Sequence, residues 1–375
     1  MSLSFQPTLE PGVEPKATPE KSESRLNLRI VRGPLLPREN VGILSEYNRL
    51  KASQIPLHEF LNWIQNSPEG PAWHAILETD NGDIVGHQSL IPFRATCQGR
   101  RFVAAKSEYA FLREEFQAGK IRGLEEARGP KHIIAARRLF QHGEAQGWGP
   151  YLICNAAAAR QRRGFYGFTS TDFHLWECLL VLRPWRAASE TANLANWQRP
   201  LLGLAGMVQQ LAWAPRGLIF SGRAGIRSVS VDDRILPHEN GSLRFFEDQE
   251  SLKWRYLEAQ YERLALDAEG REFVIVKKGS RNAYIRVCQW RLGSDQPAIS
   301  LVDNLVQMAQ KERALGIRWA IYGDDAAGAA VVRRLRRFGF LCARRVRTLL
   351  IKSNEKEFLA AEKWHLNDAI FSFHL

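Results

Sequence analysis

Cysteine is scarce and scattered in this chain. Its 375 residues include five, Cys97, Cys154, Cys178, Cys288 and Cys342, and no two form a CxxC pair. An odd, dispersed set in apolar or strand-like surroundings argues against a disulfide framework and fits reduced core thiols. The nine histidines show neither an HExxH pair nor a Cys/His cluster, so no metal site is expected. Long apolar runs are missing as well. The longest, Leu201 to Val208, is closed by Gln209 and Gln210, so no segment is expected to insert in a membrane. The start, MSLSFQPTLEPG, lacks a basic stretch followed by an apolar one and does not read as a signal peptide. A cytoplasmic location is the expectation. Neither a GxSxG nucleophile elbow nor a GxxxxGK[ST] phosphate loop occurs. Gly222 to Gly225 is a lone GxxG without the surroundings of an RNA-binding KH module.

What is present is an ordinary globular composition, 45% hydrophobic and 25% charged, with enough length for two cores. The net charge of +12 favours anionic partners: a phosphorylated co-substrate, RNA or an anionic surface. The eleven tryptophans are dispersed and read as core.

The pattern along the chain is that of a mixed α/β protein. Residues 1–27 are rich in Pro, Glu, Ser and Lys and read as a disordered tail. Pro56 to Ser67 places Leu57, Phe60, Leu61 and Ile64 on one helical face. "AWHAILETDNGDIVGHQSLIPF" has two strand-like runs around Asn81-Gly82, a strong hairpin signal, and "RRFVAAKSEYAFL" is a third strand. The period then changes, and Ile133, Ile134, Ala136, Leu139 and Phe140 line a helix that ends at Gly147, with Gly143 as a weak point inside it. "GPYLICN" is a buried strand, Ala156 to Arg163 a short helix and "TDFHLWECLLVL" a strand. Leu201 to Trp213 reads as a connecting helix.

The same order then returns. "ESLKWRYLEAQYERL" reads as a helix, "EFVIVKK", "NAYIRVCQW" and "PAISLVDNL" as strands, and "VQMAQKERALG" as a helix. "IRWAIYG" is a strand, "AGAAVVRRLRRFGF" a helix and "CARRVRTLLIK" a last strand. Both halves close a helix with Gly-Phe before the final strand, which suggests an internal duplication. The expected division is a tail at 1–27, one domain at 28–185, a linker at 186–243 and a second domain at 244–375.

In this order the motifs resemble GNAT-type N-acyltransferases present twice in tandem, an arrangement similar to Fem-like proteins. The residues that carry the likeness are "GDIVGHQSLIP", the strand ending "SEYAFL" before an Arg-Gly helix start, "YLICNAAAARQRRGF", and the second half's "SLKWRYLEAQY" and "KWHLNDAIFSF". The resemblance implies an acyl-coenzyme A co-substrate, acetyl-coenzyme A above all, held where the sheet splays, with its pyrophosphate at the next helix N-terminus. Phe111 and Leu112 would border the splayed strand, Arg128, Gly129, Lys131 and His132 would form the phosphate loop, and Asn155 would touch the coenzyme or cap the following helix. Orphan amides and the positive end of a helix attract anions in any protein. Two positions depart from the family signature: Lys131 stands where a glycine is usual and Ile133 where a small residue is usual.

For chemistry, the resemblance implies a carboxylate base and a tyrosine acid. Glu108 fits the base and is equally placed to pair with Lys106; Tyr166 is the only tyrosine near the expected acid position. The second half offers no glycine-bearing loop and reads as non-catalytic, its arginines from Arg333 to Arg347 forming a solvated face. Three readings stay open: transfer of an acyl group to a small-molecule amine, an amino sugar or cell-surface precursor by analogy; transfer from aminoacyl-tRNA; and a non-catalytic binding protein of the same fold.

Overall fold

The computed structural model describes residues 25–51, 54–97, 100–117, 120–127, 130–153, 167–190, 200–201, 203–204, 206–209, 227–229, 243–245, 248–257, 260–265, 272–278, 283–292, 299–322, 326–359 and 364–365. A strand, β1 (Asn27–Arg32), leads to helices α1 (Pro37–Lys51) and α2 (Leu57–Gln65). An antiparallel meander follows: β2 (Trp73–Glu78), β3 (Ile84–Cys97) and β4 (Arg100–Leu112). Then come α3 (Lys131–Ala145), β5 (Tyr151–Ile153), β6 (Thr169–Val181) and the short α4 (Pro184–Glu190). The second half contains β7 (Arg227–Val229), β8 (Leu243–Phe245), α5 (Gln249–Arg255), β9 (Tyr261–Ala265), β10 (Phe273–Lys277) and β11 (Tyr284–Arg291). It finishes with α6 (Ile299–Lys311), β12 (Gly316–Tyr322), α7 (Ala326–Arg337), β13 (Leu341–Lys352) and β14 (Trp364–His365).

All the strands join one mixed sheet in the order β1-β2-β3-β4-β5-β13-β6-β12-β11-β10-β9-β7, with β8 and β14 attached beside β3. In each half a meander is followed by a parallel pair, β4 with β5 and β11 with β12. The last strands change sides. β13, from the end of the chain, pairs with β5, while β6, from the first half, pairs with β12. The two exchanged strands run antiparallel at the centre, from Leu341 opposite Leu179 to Ile351 opposite Thr169.

One core lies on the face covered by α1, α2 and α5 and is shared by both halves, taking Ile43, Phe60 and Trp63 together with Leu252, Trp254 and Phe273. The opposite face is covered by α3 in the first half, over Leu90, Ala105 and Tyr151, and has a second cluster over Cys178, Val274 and Trp319, to which Leu305 and Leu335 of α6 and α7 belong. The shared core is tied across the halves by polar contacts. Asn62 donates to the Trp254 carbonyl at 2.7 Å and the Trp254 indole donates back to the Asn62 carbonyl at 3.1 Å. Arg94 pairs with both Glu69 and Asp248.

Two glycines are set by close approach. Gly143, the weak point expected in α3, is where the helix touches the sheet, since an added Cβ would meet Leu90 Cδ2 and Tyr151 Oη, each at 2.9 Å. Gly316 opens β12 against the backbone of β6, where a Cβ would run into the Leu180 carbonyl.

The second half corrects two expected elements. "PAISLVDNL" is not a strand: Ile299–Lys311 is one helix, and its buried Leu301, Val302, Leu305, Val306 and Ala309 recur at helical spacing. "ESLKWRYLEAQYERL" is not one helix: α5 stops at Arg255, and Tyr261–Ala265 pairs with β10. Three strands therefore precede α6, but they are β9, β10 and β11. Of the expected connecting helix, the described residues 201, 203–204 and 206–209 are all helical. The expected helix from Ala156 to Arg163 lies outside the described residues.

Candidate functional site

Strand β4 carries the candidate site, and its shape comes from one extra residue. Along the β3–β4 pair, His87 faces Phe111 and Ser89 faces Glu108, so one residue of β3 spans the gap that Tyr109 and Ala110 span on β4. This is a β-bulge, and it takes two backbone units out of register with their neighbours. Tyr109 absorbs the distortion with φ of 52°, a left-handed conformation unusual for a large side chain. The strain is held in place by packing: the Tyr109 ring meets Phe60 edge-on at 4.7 Å and Tyr47 at 5.3 Å.

A buried histidine pair holds the other side of the bulge. His87 Nδ1 lies 2.9 Å from the Tyr109 carbonyl oxygen, which can only accept, so this nitrogen carries the proton. His87 Nε2 is then an acceptor, and His74 Nδ1, 3.1 Å away, donates to it. Both rings are fully enclosed and neutral. Burial lowers His87 to a pKa of about 4 against an ordinary 6.5. Burial first, and the neighbouring His87 second, push His74 well down.

Beside the bulge, Glu108 makes an ion pair of 2.6 Å with Lys106, whose side chain is 2% exposed against 19% for Glu108. Glu108 faces Ser89 and Lys106 faces Ile91, so alternation puts both on the face covered by α1 and α2. Tyr47 of α1 stands on the same face. Burial, with a smaller push from the Glu108 charge, raises its hydroxyl, and the same two causes raise Tyr109 well above an ordinary tyrosine.

Below the bulge, the described pairs of β4 with β5 are Ala105–Tyr151 and Lys106–Leu152, in parallel, and β4 itself runs on through Glu108 and the bulge to Leu112. Phe111 is buried on the α1/α2 face, and Leu112 is half-buried against the core beneath α3.

α3 begins at Lys131, with Pro130 at its N-cap giving no side-chain cap. His132 is half-buried. Lys131 is 1% exposed, and burial lowers its ammonium below an ordinary lysine. A buried lysine at this point brings positive charge to the helix start from within. Arg128, Gly129, Asn155 and Tyr166 lie outside the described residues. Of the residues expected from sequence, Glu108, Phe111 and Leu112 therefore come together on β4, and Lys131 and His132 stand at the start of α3.

Three participants were missed by sequence reasoning: Tyr47, His74 and His87. Tyr47 sits in an unremarked helix, His87 lies inside the GDIVGHQSLIP motif without being singled out, and His74 lies on the strand before it. Their only signal is that polar rings occupy inward positions of otherwise apolar strands.

The second half repeats the bulge without the chemistry. Between β10 and β11, Ile275 faces Gln289 and Val276 faces Val287, leaving Cys288 as the extra residue. Two arginines are buried in this half. Arg255 is 2% exposed and stacks over Trp63 at 4.1 Å; Arg263 is 1% exposed and lies over Phe273 at 5.2 Å. Among the described residues no three His, Cys, Asp or Glu side chains are placed to share a metal ion. No described helix is long and apolar enough to cross a membrane.

The architecture is similar to solved structures of known fold. A conserved protein of unknown function from Enterococcus faecalis, provisionally named an N-acyltransferase, superposes with a TM-score of 0.52 at 10% identity, covering 86% of this chain and 71% of that one. A protein from Pyrococcus horikoshii, provisionally named an acetyltransferase, gives 0.51 at 11% identity, covering 92% and 95%. A GCN5-related N-acetyltransferase from Kribbella flavida gives 0.48 at 11%, covering 87% and 71%. No family model matches the sequence, and no curated protein does. At these identities the likeness defines a fold: the chain has the mixed α/β fold of GNAT type.

Proposed function

We propose that this protein is a tandem GNAT-type N-acyltransferase whose first half transfers an acyl group, acetyl in the simplest case, from coenzyme A to a small-molecule amine. The observation that carries the reading is the β4 bulge at Tyr109 and Ala110, a few residues along β4 from its parallel pairing with β5 and followed in the chain by the start of α3, where Pro130 gives no side-chain cap. The residues present fit such a co-substrate. The bulge directs backbone groups away from the sheet ladder, and the helix start offers amides to a pyrophosphate.

Bound acyl-coenzyme A would supply a thioester, and a C–N bond to the amine forms as the C–S bond breaks and the thiolate takes up a proton. The chain's own part is positional and electrostatic. Backbone N–H groups at the bulge would polarise the reacting carbonyl. Glu108 would take the proton from the attacking amine, directly or through one water. Lys106, 2.6 Å away, holds that carboxylate in place. Tyr47, on the same face as Glu108, would be a described hydroxyl for returning a proton, although burial makes it a weaker acid than an ordinary tyrosine; Tyr166 retains that role as an expectation.

The Lys106–Glu108 pair also favours a second reading, since the carboxylate is already engaged by a buried ammonium: a binding protein of this fold without turnover. Thiol release from acetyl-coenzyme A with a panel of primary amines separates the two. Release by the wild type that Glu108→Gln abolishes supports transfer. Coenzyme binding with no release by either protein supports the binding reading.

A further inference from the structure

We propose that the acceptor is a phosphorylated amine, its phosphate held by Arg345 and Arg347 on the same face of the sheet as Glu108. The amine in this statement rests on the acyl-transfer reading above; the phosphate rests on separate observations.

The first observation is an uncovered centre. β13 lies in the middle of the sheet, where both faces are normally covered by helices or by apolar packing. Yet six of the seven residues from Leu341 to Arg347 are exposed, Val346 to 61%. Further down the same strand Leu349, Leu350 and Ile351 are completely buried. The opening is therefore local, and the registers of β13 with β5 and of β5 with β4 put it toward the end of the sheet where Glu108 and the bulge lie.

The second observation is which way the arginines point. Leu349 and Ile351 belong to the shared core on the α1/α2/α5 face. Alternation along β13 puts Arg347 and Arg345 on that face as well, the face of Glu108 and Tyr47. Their direct neighbours on β6 are Phe173 and Leu175, both buried, which give the arginines an apolar floor. β13 stands two strands from β4, about 10 Å at ordinary strand spacing. A small amine with a phosphate a few bonds away can reach from the guanidinium groups to the Glu108 carboxylate.

The third observation is the charge count. Glu177 accepts from Arg318 at 2.7 Å and from Arg345 at 2.6 Å. Arg347, next on this face, has no acidic partner among the described residues. Among the described residues, one carboxylate against three guanidinium groups leaves an excess of two positive charges. A phosphate monoester near neutral pH carries about that charge with opposite sign, and guanidinium forks match its oxygens in pairs. An uncharged amine would leave the excess unanswered.

The test measures binding and turnover separately. The full chain is titrated calorimetrically with phosphoethanolamine, ethanolamine and inorganic phosphate, with no coenzyme present. The variants are Arg345→Ala/Arg347→Ala, the milder Arg347→Gln in case the double change impairs folding, and Arg333→Ala on the exposed side of α7 as a control. The expected result is binding of phosphoethanolamine and inorganic phosphate but not ethanolamine. Affinity should fall about ten-fold or more in the double variant, in line with losing charge-assisted hydrogen bonds, and stay unchanged in Arg333→Ala. Equal binding of ethanolamine, unchanged affinity in Arg347→Gln and the double variant, or no phosphate binding at millimolar concentration would each overturn the proposal. Thiol release from acetyl-coenzyme A is then followed with the same amines. Arginine-dependent phosphate binding without release from any amine would leave the anion site standing and count against acyl transfer.

Discussion

The two halves of this molecule share a plan and differ in where they keep their charges. Each has a meander, a bulge in its third strand, a parallel pair and a last strand given over to the other half. In the first half the bulge is flanked by Glu108, partly open to solvent, by two tyrosines and by a neutral histidine pair. In the second half the bulge residue is Cys288, and Arg255 and Arg263 are enclosed and stacked on rings. A charge that must act on a ligand needs a path to solvent, whereas one buried on an aromatic face serves packing. Under the proposed function, the partly open Glu108 would place chemistry in the first half and leave support to the second. The strand exchange explains why support is needed, because β5 and β12 each lie beside a strand from the opposite half.

The strongest way to break the comparison is kinetic. Glu108→Gln should lower kcat by about 100-fold or more, the usual scale for removing a general base, with KM for acetyl-coenzyme A little changed. Cys288→Ala, at the equivalent bulge, should leave turnover intact. Equal losses in both would erase the distinction between the halves.

Next in size is the seam. Gly316→Ala forces a methyl group into the β6 backbone and should cost about 3 kcal/mol, read by denaturant unfolding. Because β6 and β13 join both halves, the whole chain should lose stability in a single transition. Loss confined to one of two transitions would show that the exchanged strands do not couple the halves.

The histidine pair gives a pH signature on the same scale. His87 is neutral when folded, with a pKa of about 4 against 6.5 unfolded. Between those values the unfolded chain binds the extra proton, so stability rises with pH across that window. It is fully present above 6.5 and lost as pH falls toward 4. The contribution is on the order of 3 kcal/mol between the two limits. His87→Gln keeps a donor for the Tyr109 carbonyl while removing the titration. It should flatten the acid limb of the stability curve and retain most turnover. A curve that keeps its wild-type slope would assign the acid sensitivity elsewhere.

The smallest effect concerns α3. Gly143→Ala gains helix propensity but pushes against Leu90 and Tyr151, for a net loss of about 1 kcal/mol. A gain in melting temperature would mean that the helix can shift off the sheet at no cost.

Much of this architecture was legible in local pattern. The Asn81-Gly82 hairpin, the three strands of the first meander and the helix ending at Gly147 all follow from periodicity and turn residues. So did the pairing of Glu108 with Lys106, which two-residue spacing on a strand places side by side. The stretch from Ile299 to Leu305 was misread because its β-branched residues and leucines suit a strand as well as a helix, and only the longer run through Ala309 shows the helical period. β9 was missed because Tyr261–Ala265 becomes a strand by pairing with β10, a contact absent from its own pattern. The strand exchange is invisible for a deeper reason: β6 and β13 look alike locally, and a strand's neighbour is a nonlocal choice. The bulge is likewise a matter of register, which the letters of β4 do not display.

The central claim is that the β4 bulge and the start of α3 form the acyl-coenzyme A site. The most direct measurement follows backbone amide resonances of the labelled protein during titration with acetyl-coenzyme A. The account predicts shifts at Tyr109, Ala110, Lys131 and His132, with Cys288 and Gln289 in the second half unmoved. Shifts centred on Cys288 and Gln289, or none at any of the six, would contradict it.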